Sequence, residues 1–202
     1  HEQGRYEEAM TNYLRARVLF KSLIERGVQG VDLSTLYLNL GSLFDGMGQF
    51  DVALLYLDSC LVIEERIYGK EHTLPAGTNG IIAEVRSHQG DEQGALDIYM
   101  ATLATYQRLL SADHNMIGAT HGNIAVILDN LGRRDHAIPH YDEALRIYKV
   151  SLAPDHPDVA TVLANKAFTL GALGDGKAAM GLHREALRMR IATYGEMYDA
   201  VS

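Results

Sequence analysis

The chain has 202 residues, of which 47% are hydrophobic and 22% are charged, and this composition is typical of a globular chain with a sizeable apolar core. The formal net charge is -8, and no run of lysine or arginine forms the basic patch that nucleic-acid binding needs. A single cysteine excludes an internal disulfide framework, and no apolar run reaches the ~20 residues that span a bilayer. We therefore expect no nucleic-acid partner, no membrane insertion and a cytoplasmic location.

A glycine recurs at a fixed spacing and divides the chain into repeats. Gly48, Gly90, Gly132 and Gly174 follow one another at intervals of 42 residues, and Gly4 precedes them. Small, large and small side chains stand five, nine and twelve residues after each glycine. Because steps of four and three keep side chains on one face of a helix, the spacing predicts an amphipathic helix after every glycine. A second helix is predicted before each glycine from Gly48 onward.

The predicted elements are helices throughout, and no strand is expected. In chain order the predicted helices span residues 5–24, 33–47, 50–68, 75–89, 92–110, 117–131, 134–152, 159–173 and 176–194. The predicted organisation is one array over residues 1–202, with a partial repeat 1–31 and repeats 32–73, 74–115, 116–157 and 158–202. Neither end resembles the polar cap that such a stack needs, so we expect a segment of a longer protein.

The small and large side chains around the turn glycine resemble the tetratricopeptide repeat (TPR), whose usual unit has about 34 residues. The unit here is longer, and its added length lies in the second helix and in the loop that contains His72, His114 and His156. This pattern is similar to the variant repeat of kinesin light chains. The resemblance implies an all-α fold, a right-handed superhelical solenoid of antiparallel helix pairs with about 4.5 repeats.

The three loop histidines raise the question of a metal site. Copies in successive repeats would lie ~8–10 Å apart, whereas ligands of one zinc ion lie ~2.0–2.1 Å from it. We interpret them as loop anchors, and we expect no metal and no cofactor. No arrangement of nucleophile, base and orienting group is visible, so we expect no catalytic residue and no enzyme activity. Cys60 stands twelve residues after Gly48, at one of the positions that carry small side chains, and is interpreted as a packed thiol.

The position nine residues before the turn glycine carries asparagine in three of four repeats, at Asn39, Asn123 and Asn165. Asparagine in a helix is less favourable than alanine by about half a kcal/mol, so its recurrence suggests compensating hydrogen bonds. One explanation is a ladder that joins adjacent repeats. The other is a groove whose amides bind the backbone of an extended peptide, and the resemblance implies this second explanation. Both stay open at the level of sequence.

Neighbouring positions on the first helices complete the predicted groove and contain no lysine or arginine. The predicted groove residues are Asn39, Ser42, Asp45, Glu84, Asn123, Asp129, Thr161 and Asn165. Three of them are acidic, so complementarity of charge favours a neutral or basic ligand.

Two functions are compatible with this pattern. The leading prediction is a protein–protein interaction module that binds a partner peptide or helix in a concave groove lined by the first helix of each repeat. The alternative is a structural scaffold that self-associates through its end helices or its convex face. An exposed end helix presents an apolar stripe without a partner, which favours end-to-end homo-association.

Overall fold

The computed structural model describes residues 18, 30–153 and 155–199, and this part of the chain contains eight helices and no strand. The helices are α1 (Gly30–Gly46), α2 (Phe50–Tyr68), α3 (Thr73–His88), α4 (Glu92–Leu109), α5 (Asn115–Asn130), α6 (Arg134–Ser151), α7 (Pro157–Ala172) and α8 (Gly176–Asp199). The all-α fold of repeated helix pairs is confirmed. The predicted helix over 5–24 lies outside the described residues except for Val18. No described helix is long and apolar enough to cross a membrane.

The chain divides into two compact units, and the division falls between Ile98 and Tyr99, inside α4. In the first unit α1 packs against α2, α2 contacts α3, and α1 also contacts α3. In the second unit α5 packs against α6, α6 contacts α7, and α7 packs against α8. In this unit α5 also contacts α7, so the first helices of neighbouring repeats lie side by side.

The turn glycines adopt the left-handed backbone conformation that the repeat pattern predicts. Gly48, Gly90, Gly132 and Gly174 have φ values of 72°, 88°, 72° and 93°. At the first of these turns the Gly48 N–H donates to the Asp45 carbonyl at 2.8 Å and the Gln49 N–H to the Phe44 carbonyl at 2.9 Å. Bonds of this kind satisfy the last carbonyls of a helix, and the left-handed residue reverses the chain direction within a few residues.

The first helices of the last three repeats begin about two residues earlier than predicted, because histidine side chains cap them. Nδ1 of His72, His114 and His156 accepts a hydrogen bond from the backbone N–H two residues later, at 3.2 Å in each case. Each histidine occupies the N-cap position, where a side-chain acceptor satisfies a backbone donor that has no partner within the helix. The interpretation of these residues as loop anchors is confirmed.

The small-residue positions are buried where helices pack against each other, within a repeat and between neighbouring repeats. Ala53, Ala95 and Ala137 are fully buried, and Cys60 is fully buried beside Thr78, with Sγ 3.7 Å from Oγ1. The core cluster of the first unit consists of Tyr37, Phe44, Val52, Ala53, Tyr56, Leu57, Cys60, Ile82 and Val85. In the second unit Ala160, Leu163, Ala186 and Met189 form a cluster against which Leu145 and Leu182 pack.

Candidate functional site

Four of the predicted groove residues lie on the first helices of the first unit, and three of the four are exposed to solvent. Asn39 and Ser42 are exposed on α1, and Glu84 is exposed on α3. Asp45 is largely buried, with 16% of its side chain exposed, and its Oδ1 lies 2.8 Å from Nδ1 of His88. The fourth residue is therefore held by a partner on the neighbouring helix.

The second unit brings the other four predicted residues onto the adjacent helices α5 and α7. Asn123 and Thr161 are exposed, and Asn165 is half-buried. The Thr161 hydroxyl donates to the Pro157 carbonyl at 3.0 Å. Asp129 is 11% exposed and forms an ion pair with Arg134, with Oδ1 2.9 Å from Nε. Of the four predicted residues, Asn123, Thr161 and Asn165 are therefore the ones that form no ion pair with a described residue.

The charge of the predicted groove is smaller than the sequence indicates. Asp45 contacts His88 and Asp129 contacts Arg134, so two of the three acidic groups have partners within the chain. Of these three groove residues, only Glu84 is an exposed carboxylate to which no described residue is paired. Aligning the repeats with one another does not reveal these pairs. Arg134 lies across the turn from Asp129, and His88 lies on the helix next to that of Asp45.

The asparagine position is structural in one repeat. Nδ2 of Asn123 donates to the Tyr99 hydroxyl at 3.3 Å, and Tyr99 lies on the second helix of the preceding repeat. This hydrogen bond joins two adjacent repeats, as the ladder explanation expects. A signal for it exists in the sequence: the residue 24 positions before Asn123 or Asn165 is a tyrosine, whereas the residue 24 positions before Ile81 is Leu57.

Asn165 differs from Asn123 although it has the same kind of neighbour. Tyr141 occupies the position equivalent to Tyr99, but its hydroxyl is hydrogen-bonded to Thr169. Burial raises the pKa of Tyr141 to about 12, because its effect outweighs the opposite effect of the Thr169 hydrogen bond. No described residue forms a hydrogen bond with the side chain of Asn165. Its amide is therefore available to a ligand.

Phe168 adds an apolar group that the predicted set of groove residues does not contain. The residue lies on α7, three positions after Asn165 and seven after Thr161, so the three share one face of the helix. Its side chain is 64% exposed. Phe168 occupies the repeat position of Ser42 and Glu84, six residues before the turn glycine, so the repeat pattern places it on the groove face, and the structure shows that its ring is exposed.

A pair of histidines lies between α5 and α6, outside the predicted groove. Nδ1 of His121 is 2.9 Å from Nδ1 of His140, and both side chains are half-buried. Burial lowers the pKa of both imidazoles, and the pKa of His121 is lowered further by His140 and raised by Glu143. Glu143 itself is held by Arg146, whose Nη1 also contacts Asp113 at 2.7 Å.

Comparison with known proteins identifies the repeat. The tetratricopeptide repeat family matches residues 33–74, and two further overlapping matches to tetratricopeptide repeats cover residues 74–150 and 116–192. A search among curated proteins found no match to this sequence.

Several solved structures share the fold. BtubC (BKLC) from P. vanneervenii superposes with a TM-score of 0.76 at 23% identity, over 96% of this chain and 76% of that one. TPR-like repeats assigned to a kinesin light chain of Podosopora anserina superpose with a TM-score of 0.62 at 18% identity, over 95% of both chains. The apo form of RapI superposes with a TM-score of 0.73 at 16% identity, over 93% of this chain and 50% of that one. With family matches that extend from residue 33 to residue 192, the chain belongs to the tetratricopeptide repeat family, and it shares the fold of kinesin-light-chain-like repeats.

Proposed function

We propose that this chain is a protein-interaction module that binds a neutral, extended segment of a partner protein on the exposed face of its first helices. The observation that carries the proposal is the exposed ring of Phe168 beside the side-chain amide of Asn165, to which no described residue is hydrogen-bonded. An aromatic side chain flanked by polar groups is the arrangement that typically anchors a partner at an interface.

The chemistry of this face fits a peptide backbone. The Asn165 amide contains both a donor and an acceptor, so it can pair with the N–H and C=O groups of an extended segment at a net ~0.5–1.5 kcal/mol per hydrogen bond. Covering the Phe168 ring with an apolar side chain of the partner would contribute up to ~2 kcal/mol, because most of the ring is exposed before binding. Together these contributions correspond to more than a tenfold change in affinity.

The charges favour a neutral segment over a basic one. In the second unit the only acidic group of the predicted groove, Asp129, already contacts Arg134. A lysine or arginine of the partner would have to compete with this contact. The exposed Glu84 of the first unit is the one predicted groove residue that still favours a basic group.

The test is a library of random peptides displayed on phage and selected against the chain. We expect selected peptides without excess charge and with an aliphatic or aromatic residue. The double variant Asn165→Ala/Phe168→Ala is expected to weaken their binding by at least tenfold, as measured by fluorescence anisotropy.

The matched control is Val150→Ala, which removes a comparably exposed apolar side chain, 65% exposed, from the second helix α6. This variant is expected to bind with unchanged affinity. Equal binding by the wild-type chain and the Asn165→Ala/Phe168→Ala variant would refute the proposed surface.

A second candidate function, end-to-end self-association, rests on the exposed face of α8. Met180, Leu187 and Ile191 are 58%, 58% and 63% exposed, and their spacing places them on one side of the helix. The residue equivalent to Leu187 in the preceding repeat is Leu145, which packs against the core cluster of the second unit. Light scattering tests this candidate: a mass that rises with concentration and becomes constant in Leu187→Ser/Ile191→Ser would support it, and a constant mass in the wild-type chain would exclude it.

A further inference from the structure

Two histidines occupy a pair of positions that the first and last described repeats fill with aromatic or apolar side chains, whereas the second described repeat has Asn79 and Ile98 there. His121 and His140 lie 11 residues before and eight residues after the turn glycine Gly132. The equivalent pair in the first described repeat is Tyr37 and Tyr56, whose ring centroids are 5.9 Å apart. In the last repeat the equivalent pair is Leu163, which belongs to the core cluster of the second unit, and Leu182, which packs against that cluster. The fold therefore does not require histidine at either place.

The two imidazoles share an Nδ1–Nδ1 hydrogen bond, and the separation of these two atoms also equals that of neighbouring nitrogen ligands on one metal ion. Their Nδ1 atoms are 2.9 Å apart and their ring centroids are 5.0 Å apart. Two nitrogens that lie ~2.0–2.1 Å from one ion and subtend a right angle are about 2.9 Å apart, whereas a tetrahedral angle separates them by about 3.3–3.4 Å. Right-angled nitrogen ligands are typical of the square or tetragonal coordination of Cu²⁺ and Ni²⁺.

We propose that His121 and His140 form a two-histidine site for a divalent transition-metal ion with tetragonal coordination, Cu²⁺ or Ni²⁺. Both rings are half-buried, so water can reach the ion and complete its coordination. Small rotations about the Cβ–Cγ bonds would direct both Nδ1 lone pairs at one ion beside the line that joins them.

The surroundings of the pair define the site further. Glu143, one turn after His140 on α6, places a carboxylate near the imidazoles, but Nε and Nη2 of Arg146 hold that carboxylate at 3.0 and 2.8 Å. Within the described residues no group of three or more histidine, cysteine or acidic side chains is arranged to hold a metal ion. The site therefore has two protein ligands, and its ion exchanges with solvent.

The ion would act as a clamp between the two helices of one repeat. His121 belongs to α5 and His140 to α6, so an ion bound to both imidazoles connects the helices across their contact. An ion that binds only the folded chain raises the free energy of unfolding. At high ion concentration this gain grows with the logarithm of the ratio of ion concentration to the dissociation constant of the site. Metal binding should thus raise the melting temperature, a response that surface binding to an isolated histidine does not produce.

The test is a calorimetric Ni²⁺ titration of the full chain, paired with thermal unfolding with and without the ion. The key variant is His121→Leu/His140→Leu, which copies the Leu163 and Leu182 pair and should therefore fold. We expect one Ni²⁺ site in the wild-type chain, and we expect the variant to lose both this site and the metal-dependent rise in melting temperature. The control variant His136→Gln/His183→Gln removes two exposed histidines and should keep both responses.

A spectroscopic readout identifies the ligands directly. With Cu²⁺, electron paramagnetic resonance of the wild-type chain should show nitrogen splitting from two imidazoles, and His121→Gln or His140→Gln alone should reduce it to one and weaken binding by at least tenfold. These single variants keep the proposal testable if the leucine pair fails to fold. Undiminished Ni²⁺ binding in the histidine variants, or absence of a Ni²⁺ site in the wild-type chain, would overturn the proposal.

Discussion

The hydrogen bond between Asn123 and Tyr99 can be measured by a double-mutant cycle. Replacing asparagine by alanine in a helix gains about 0.5 kcal/mol of intrinsic helix stability, and loss of a neutral hydrogen bond costs ~0.5–1.5 kcal/mol. The 3.3 Å distance lies at the long end for such a bond, so we place its contribution at about 0.5–1 kcal/mol. Asn123→Ala should therefore lower the free energy of unfolding slightly or leave it unchanged. Asn165→Ala, which loses no hydrogen bond, should raise it by about 0.5 kcal/mol.

The assay is urea unfolding followed by circular dichroism for wild type, Asn123→Ala, Tyr99→Phe and the double variant. Because Tyr99 is 4% exposed and has further contacts, only the cycle isolates the pair, and we expect a coupling energy of about 0.5–1 kcal/mol. A coupling energy near zero, or equal effects of Asn123→Ala and Asn165→Ala, would refute the assignment of Asn123 to the contact between repeats.

Three other expectations concern the stability of the stack. Burial raises the pKa of the Cys60 thiol to about 12, so a thiol reagent at pH 8 should leave the native chain unmodified and should react only after denaturant is added. Gly41→Ala would place a Cβ 2.6 Å from Cγ of Leu57, and we expect a net loss of about 1–2 kcal/mol in urea unfolding, whereas Gly46→Ala in the same helix meets no atom within 4 Å and should not destabilise. His114→Ala removes the N-cap acceptor of α5 and should cost about 1 kcal/mol, with faster amide hydrogen exchange confined to the first turn of that helix.

The periodic part of the fold could be predicted from the sequence because it depends on backbone conformation and side-chain size. Turn glycines such as Gly132 need a left-handed conformation, and the fully buried Ala137 allows close approach of two helices; both requirements recur with the repeat. The predicted starts of the first helices in the last three repeats lie about two residues late, because apolar periodicity does not detect a histidine cap such as that of His114.

The candidate site could be predicted only in part, because its properties depend on contacts between different helices. The sequence identifies the asparagine position, but it does not show that Asn123 bonds to Tyr99 while Asn165 has no such partner. It likewise counts Asp129 as a free charge, although Arg134 lies 2.9 Å away. Comparing residues 24 positions apart in successive repeats would have detected the tyrosine–asparagine pairing. The exposure of Phe168 follows from the repeat itself, because this residue occupies the same position as the predicted groove residues Ser42 and Glu84.

The central claim, that a partner binds on the first helices, can be tested most directly by mapping backbone and side-chain amide chemical shifts on addition of a selected peptide. We predict that the largest changes in the second unit occur on α5 and α7, at the side-chain amide of Asn165 and around Phe168. Changes concentrated on α6, or on the exposed face of α8 around Leu187 and Ile191, would contradict the claim.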